Sequence, residues 1–163
     1  MSEAATVQSK ELGEELLQLV TFRLSNEEFA IDILQVQEIN RMVEITTVPK
    51  SPSFVEGVIN LRGKVIPIID LRKKLSLNVS EYTKDSRIVV VVLDNKIIGM
   101  IVDSVYEVLR LPEKTIEPPP PIVAGGIDSQ YIQGVGKLED RLLIFLNLNN
   151  LFSKEESDAL HTF

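Results

Sequence analysis

Apolar residues in this chain come in short runs, broken by turn residues about every eight to twelve positions, which predicts an all-β sandwich or barrel. Leu16–Leu24 reads as a strand with Val20, Phe22 and Leu24 on one face. Ser25–Asn26 turns it, and Phe29–Ile33 returns. Val43–Val48 is expected as a third strand, stopped by Pro49 and Pro52. Val58–Leu61 and Lys64–Asp70 predict a hairpin around Arg62–Gly63, where glycine supplies a left-handed backbone. Leu71–Leu75 predicts a short helix carrying Arg72, Lys73 and Lys74, and the polar stretch Ser76–Ser86 reads as a crossing to the second half.

The second half repeats the first. At a shift of 69 residues, Leu19–Phe22 falls on Ile88–Val91, Ala30–Ile33 on Gly99–Val102, and Val36, Glu38 and Ile39 on Val105, Glu107 and Val108. Beyond Pro49 the shift is 77: Phe54–Val58 falls on Tyr131–Val135 and Ile68–Leu71 on Phe145–Leu148. The eight extra residues lie around Pro118–Pro121 and Gly125–Gly126, a segment that can continue neither a helix nor a central strand and reads as a surface loop. The fold expected is two copies of one five-stranded unit: a loose tail over 1–15, a first barrel over 16–86, a second over 87–152, and a terminal helix or tail over 153–163. Units this small have marginal cores, so the halves are expected to bury apolar surface against each other.

Composition narrows the function. A formal charge of -7 argues against a nucleic-acid backbone or an anionic membrane as partner. The longest apolar runs, Ile88–Leu93 and Ile97–Val102, are far short of the roughly 20 residues of a membrane helix, and Met1–Lys10 lacks the pattern of a secretory signal, so direct membrane insertion is not expected and a cytoplasmic location is. There is no cysteine, which removes disulfides, thiolate metal sites and cysteine nucleophiles. The one histidine, His161, lies two residues from Phe163, a poor place for a general base. No phosphate-cradling glycine motif is present. Asp94 ends an apolar run as a phosphoacceptor aspartate would, but Asn95–Lys96 leads directly into another strand, so it reads as a hairpin residue. Glu27–Glu28, Glu139–Asp140 and Glu155–Glu156 read as solvated acids, and Arg72–Lys74 as a solvent-facing basic cluster. No catalysis and no cofactor are expected. A small hydrolase would need converging buried acids that the spacing does not forecast, and the acidic charge disfavours an oligonucleotide-binding barrel.

One stretch is specific. Val48–Leu71 contains Gly57-Val58-Ile59-Asn60-Leu61-Arg62-Gly63, followed by Pro67-Ile68-Ile69-Asp70-Leu71. It resembles the signature of the CheW family, the chemotaxis coupling proteins, and the likeness extends to Phe29–Asp32, Val36–Ile39 and Ile98–Asp103, spanning about Leu16 to Phe152. The resemblance implies a pair of five-stranded, SH3-like barrels with no reaction of their own. Such a protein links chemoreceptor cytoplasmic tips to the regulatory domain of the histidine kinase CheA, in arrays at the inner face of the membrane. The kinase's other domains, or the receiver domain of CheV proteins, would not fit in this length. Arg62 falls where the family's motif places receptor and kinase binding, although its repeat partner is Glu139, the opposite charge. Within the same motif Gly57, Asn60 and Gly63 are candidates, with Asn60 expected to hold the turn. Glu38 lies in the matching Val36–Ile39 segment, while Val36, Ile39, Val102 and Val105 occupy related places in the two repeats, either as inter-barrel core or as an apolar groove for a receptor helix.

Overall fold

The computed structural model describes residues 15–119 and 127–161. Its elements run β1 (Leu16–Leu24), β2 (Glu27–Asp32), β3 (Val36–Arg41), β4 (Val55–Leu61), β5 (Lys64–Asp70), α1 (Leu71–Lys74), β6 (Arg87–Leu93), β7 (Lys96–Val102), β8 (Ser104–Pro112), β9 (Ile116–Glu117), β10 (Ile132–Lys137), β11 (Leu142–Leu146) and α2 (Lys154–His161). Single 3-10 turns follow β2, β8 and β11 and precede β10. The tail over 1–14, Pro120–Pro121 and Gly125–Gly126 lie outside the described residues.

The strands form two all-β units, one ordered β3-β6-β7-β5-β4 and the other β8-β1-β2-β11-β10-β9. The expected tight turns are present: Ser25, Arg62, Asp94 and Asn95 all have positive φ, and Gly63 follows Arg62 at φ 87°. Asp94 is thus a hairpin residue. The Val43–Val48 strand is not formed. Only Thr46 pairs there, exchanging two 2.9 Å backbone hydrogen bonds with Val58. The third strand is instead Val36–Arg41, one-sided and polar on alternate residues, which the apolar runs did not mark. The chain beyond it returns at Thr46 to β4, just as β8 continues into β9 against β10, so both units close into barrels.

The barrels are not the halves 16–86 and 87–152. Hairpin β6–β7 sits between β3 and β5 of the first half, and hairpin β1–β2 sits between β8 and β11 of the second. The cause is connection length. Asp103 alone joins β7 to β8, and three residues join β2 to β3. One residue cannot reverse a strand, since the tightest common hairpin uses two, so β7 runs on into the other barrel as β8, and β2 passes on into β3 through the 3-10 turn Ile33–Gln35 without reversing. The repeat extends to register. Val36 opposes Val91 and Val105 opposes Phe22, Ile68 runs parallel beside Gly99 and Phe145 beside Ala30, and bulges recur before Gly57 and Gly134.

The exchanged hairpins are buried on both faces along their middle, which explains the unbroken apolar run Ile88–Val91. Ile88 and Val90 point into the first barrel with Ile59, Ile66, Ile68 and Ile101. Leu19, Ala30, Leu143 and Phe145 fill the second. The opposite faces, among them Phe22, Phe29, Val89, Val91, Met100, Val102 and Ile144, meet in the largest cluster, the seam between barrels. Helix α2 closes the fold: Leu160 is buried in that cluster, and Phe152, just before the helix, stacks on Phe54 at 5.7 Å.

Candidate protein-docking site

At the tip of hairpin β4–β5, Leu61 pairs with Lys64 and leaves Arg62 and Gly63 as a two-residue loop. Both have positive φ, and the Asn60 Oδ1 accepts from the Gly63 N–H at 2.8 Å, the turn-holding role expected of Asn60. This geometry throws Arg62 outward, with its side chain 66% exposed, yet it is not free: its two terminal nitrogens grip both carboxylate oxygens of Glu38 on β3. Asn40 Nδ2 donates to the same carboxylate at 2.8 Å. The hydrogen bonds from Arg62 first, and from Asn40 second, hold the Glu38 carboxyl below its ordinary range. The result is a preoriented charge pair on an exposed edge, with Ile39 also exposed on β3 and Val65 beyond the turn.

The other candidate residues fall differently. Gly57 is buried at a bulge, and a Cβ there would stand 2.1 Å from the Thr46 carbonyl oxygen, so this glycine serves the close approach of two backbones. Gly63 has open space around it and serves the turn conformation alone. Val36 and Val105 are partly buried against the seam, one in each barrel. Of the two readings of Val102, the inter-barrel core is the one realised: it is 0% exposed in the seam and presents no surface to a partner. Side-chain alternation on a strand buried on both faces left no outward position for it.

The repeat puzzle at Arg62 is also resolved. Glu139 occupies its place, but Glu107, the counterpart of Glu38, meets Arg141 from the same hairpin at 3.5 Å. The cation has moved two residues along the turn. Arg141 Nε also lies 2.9 Å from Glu28, whose carboxyl is raised by burial despite that charge.

The basic cluster Arg72–Lys74 does not face solvent as a group. Lys73 is partly exposed and pairs with Glu56 at 2.5 Å. Lys74 is almost covered, lying over the rings of Tyr131 (4.8 Å) and Phe54 (5.3 Å) and pairing with Glu156 of α2 at 3.4 Å. Arg72 is 1% exposed and forks onto Asp70, with Nη2 to Oδ2 at 3.0 Å and Nε to Oδ1 at 3.2 Å. Burial would raise Asp70, but hydrogen bonds from Arg72 and Tyr82 and the guanidinium charge outweigh it and hold the carboxyl below its usual range. The clue in sequence was Asp70 two residues before Arg72 at a strand end, where an aspartate caps a helix and can also turn to the next side chain.

Residues 18–156 match the model of the CheW-like domain, which is most of the chain. The chain belongs to the CheW family. It is 40% identical over 157 residues to the chemotaxis protein CheW of Klebsiella aerogenes, covering 96% of this chain and 93% of that one. The crystal structure of the scaffolding protein TtCheW from Thermoanaerobacter tengcongensis superimposes with a TM-score of 0.79 at 41% identity, covering 86% of this chain and 90% of that chain. A more distant relative, protein FrzA of Myxococcus xanthus, is 31% identical over 114 residues, 70% of each chain. Membership makes this a chemotaxis scaffold and adaptor, not an enzyme, and the fold described above is shared with the solved scaffolding protein. No helix among the described residues is long and apolar enough to cross a membrane.

Proposed function

We propose that this chain bridges chemoreceptor cytoplasmic tips and the regulatory domain of the histidine kinase CheA, working in the cytoplasm beside receptor arrays at the inner face of the membrane. The observation that carries the reading is the Arg62–Glu38 pair: a guanidinium held outward in a left-handed turn and preoriented by two carboxylate contacts. Turn formation does not need an arginine there, and exposed ion pairs contribute little to stability, so its use lies in contact with a partner. Arg62, Glu38, Asn60 and Ile39 form the charged end of that contact. Val36 and Val105 border the seam, where an apolar receptor helix would lie. Gly57 and Gly63 act on the site only through backbone shape.

A bridge must hold two partners together. The test is size-exclusion and titration of the chain with a receptor tip fragment and a CheA regulatory domain. A ternary complex is the expected result, and strict competition between the fragments overturns the bridging mechanism.

A second reading is supported by the FrzA relative, whose name does not carry chemotaxis. In it the same barrels couple receptors to a kinase for another output, such as pilus motility. Identifying the receptors and kinase that bind the chain in pull-downs from its own cells separates the two.

A further inference from the structure

The buried Arg72 does more than neutralise Asp70. Its Nη1 reaches the Asp103 Oδ1 at 3.1 Å and Ser80 Oγ at 3.2 Å. Asp103 is the single residue between β7 of one barrel and β8 of the other. Its Oδ2 accepts from the Ser25 N–H at 2.7 Å, and its own N–H donates to the Arg23 carbonyl at 3.0 Å, both at the β1–β2 turn of the second barrel. A continuous line of hydrogen bonds therefore runs from the end of β5 in the first barrel, through Arg72 and Asp103, to β1 in the second. The crossing segment 76–86 fastens over it. Ser25 Oγ donates to the Asn78 carbonyl at 3.0 Å, Tyr82 OH donates to Asp70 at 2.9 Å, and the Tyr82 ring lies 5.0 Å from the guanidinium carbon.

The duplicated fold supplies its own comparison. At the equivalent junction, Asp70 is replaced by Asn147, Arg72 by Asn149, Asp103 by Leu34 and Ser25 by Asp94. There, α2 stands where segment 76–86 would be, over a cleft of about 290 Å³ lined by Leu93, Ile98, Asn149 and Phe152 among others. One junction is thus held by buried, directional charge-assisted hydrogen bonds, while the other puts Asn147 and Asn149 in place of that pair, beside a cleft whose lining mixes Leu93, Ile98 and Phe152 with Asp94, Lys96 and Asp158. Apolar contact in the seam favours closeness but not one angle, whereas forked charge-assisted hydrogen bonds fix direction.

We propose that the Arg72 cluster is a clamp that sets the angle between the two barrels, making Arg72 and Asp103 positioning residues for simultaneous binding of two partners. The second half of the statement rests on the bridging function above; the first does not.

The chain has no cysteine, so spin labels can be placed cleanly on the full chain at Lys64→Cys and Glu139→Cys, two exposed hairpin positions in different barrels. Pulsed dipolar spectroscopy on the otherwise unaltered chain should give one narrow distance distribution. Asp103→Ala leaves the Arg72–Asp70 pair in place and cuts the side-chain link to the second barrel, keeping only the backbone bond from residue 103 to the Arg23 carbonyl. It should fold, broaden or split that distribution, keep binding to each partner fragment alone within about twofold, and lower ternary complex formation tenfold or more. Arg72→Met should broaden the distribution further, with Arg72→Lys between. A folded Asp103→Ala chain with an unchanged distribution overturns the clamp. So does loss of folding in Asp103→Ala, because the cluster would then be a requirement of folding and not of orientation. If the unaltered chain binds neither fragment, the distances still decide the clamp, and only the bridging function fails.

Discussion

At the scale of single residues, the molecule uses arginine in two opposite ways. Arg62 is exposed and should be dispensable for folding. Arg62→Ala is expected to leave the melting temperature within about 2 °C while weakening binding to a receptor or CheA fragment tenfold or more. Differential scanning calorimetry beside titration reads both, and unchanged binding to both fragments reduces Arg62 to a turn residue. Arg72 is buried, and its partner Asp70 carries a folded-state pKa below the ordinary 3.8. A carboxyl with a depressed folded pKa contributes stability that is present above its unfolded pKa and lost as pH falls through the folded value. Asp70→Asn should therefore cost about 3 kcal/mol at pH 7, where one member of a buried pair is left alone. The deficit should shrink as pH drops below about 4, because the unfolded chain's carboxyl then takes up a proton that the native, ion-paired one resists. Urea unfolding of both chains across pH 3–7 checks this, and a pH-independent difference would remove the ion pair as its source.

At the scale of elements, the hairpins and short helices were legible because their signals are local. Turn residues at Ser25–Asn26, Arg62–Gly63 and Asp94–Asn95 announced three hairpins; Gly63, Asp94 and Asn95 take the left-handed backbone they tolerate, whereas Ser25 and Arg62 take it against their preference. The strand Val36–Arg41 was not legible as a strand, since one face is wet and its apolar residues are interleaved with polar ones. Val43–Val48 looked more like a strand than it is, because Val43, exposed, and Ile45 serve the barrel rim instead of a ladder. The residues a motif marked, Asn60, Arg62 and Gly63, all fall at one hairpin tip. The burial of Val102 and Arg72 was invisible, because it depends on which strand lies across from them. Gly57 illustrates the element-scale constraint. A methyl group there meets backbone atoms of Thr46 that no side-chain movement can relieve. Gly57→Ala should cost about 2–3 kcal/mol in urea denaturation, and a cost near zero would mean that the rim segment is free to move away.

At the scale of the whole molecule, the seam and the exchange decide what can be separated. Val105 lies at the seam's edge, so Val105→Asp is expected to fold, to bind a receptor tip poorly and to bind CheA as before. Val102→Asp, which buries a charge without a partner, should not fold at all. Circular dichroism followed by separate titrations distinguishes the two, and a folded Val105→Asp chain with full receptor binding would withdraw the seam as the receptor surface. The exchange of hairpins also means that neither 16–86 nor 87–152 contains a complete barrel. Expressed alone, each is expected to give no folded monomer, and mixing the two should restore the double barrel. Analytical ultracentrifugation and dichroism of the separate and mixed halves would show this, and a folded monomeric half would contradict the pairing described.

That exchange bears on symmetry. A half-length chain with the pairing preferences of either repeat would complete such a barrel by borrowing the hairpin of a second copy, and the second copy would borrow in return. Two identical copies interlaced in that way would share a true twofold axis, and every surface would exist twice. With the two repeats joined through segment 76–86, the two ends can differ. A guanidinium could be kept at position 62 and lost at 139, and a charged lock could grow on one junction while a helix settled on the other. Asymmetry of that kind is closed to a homodimer, and the bridging function proposed above would draw on it.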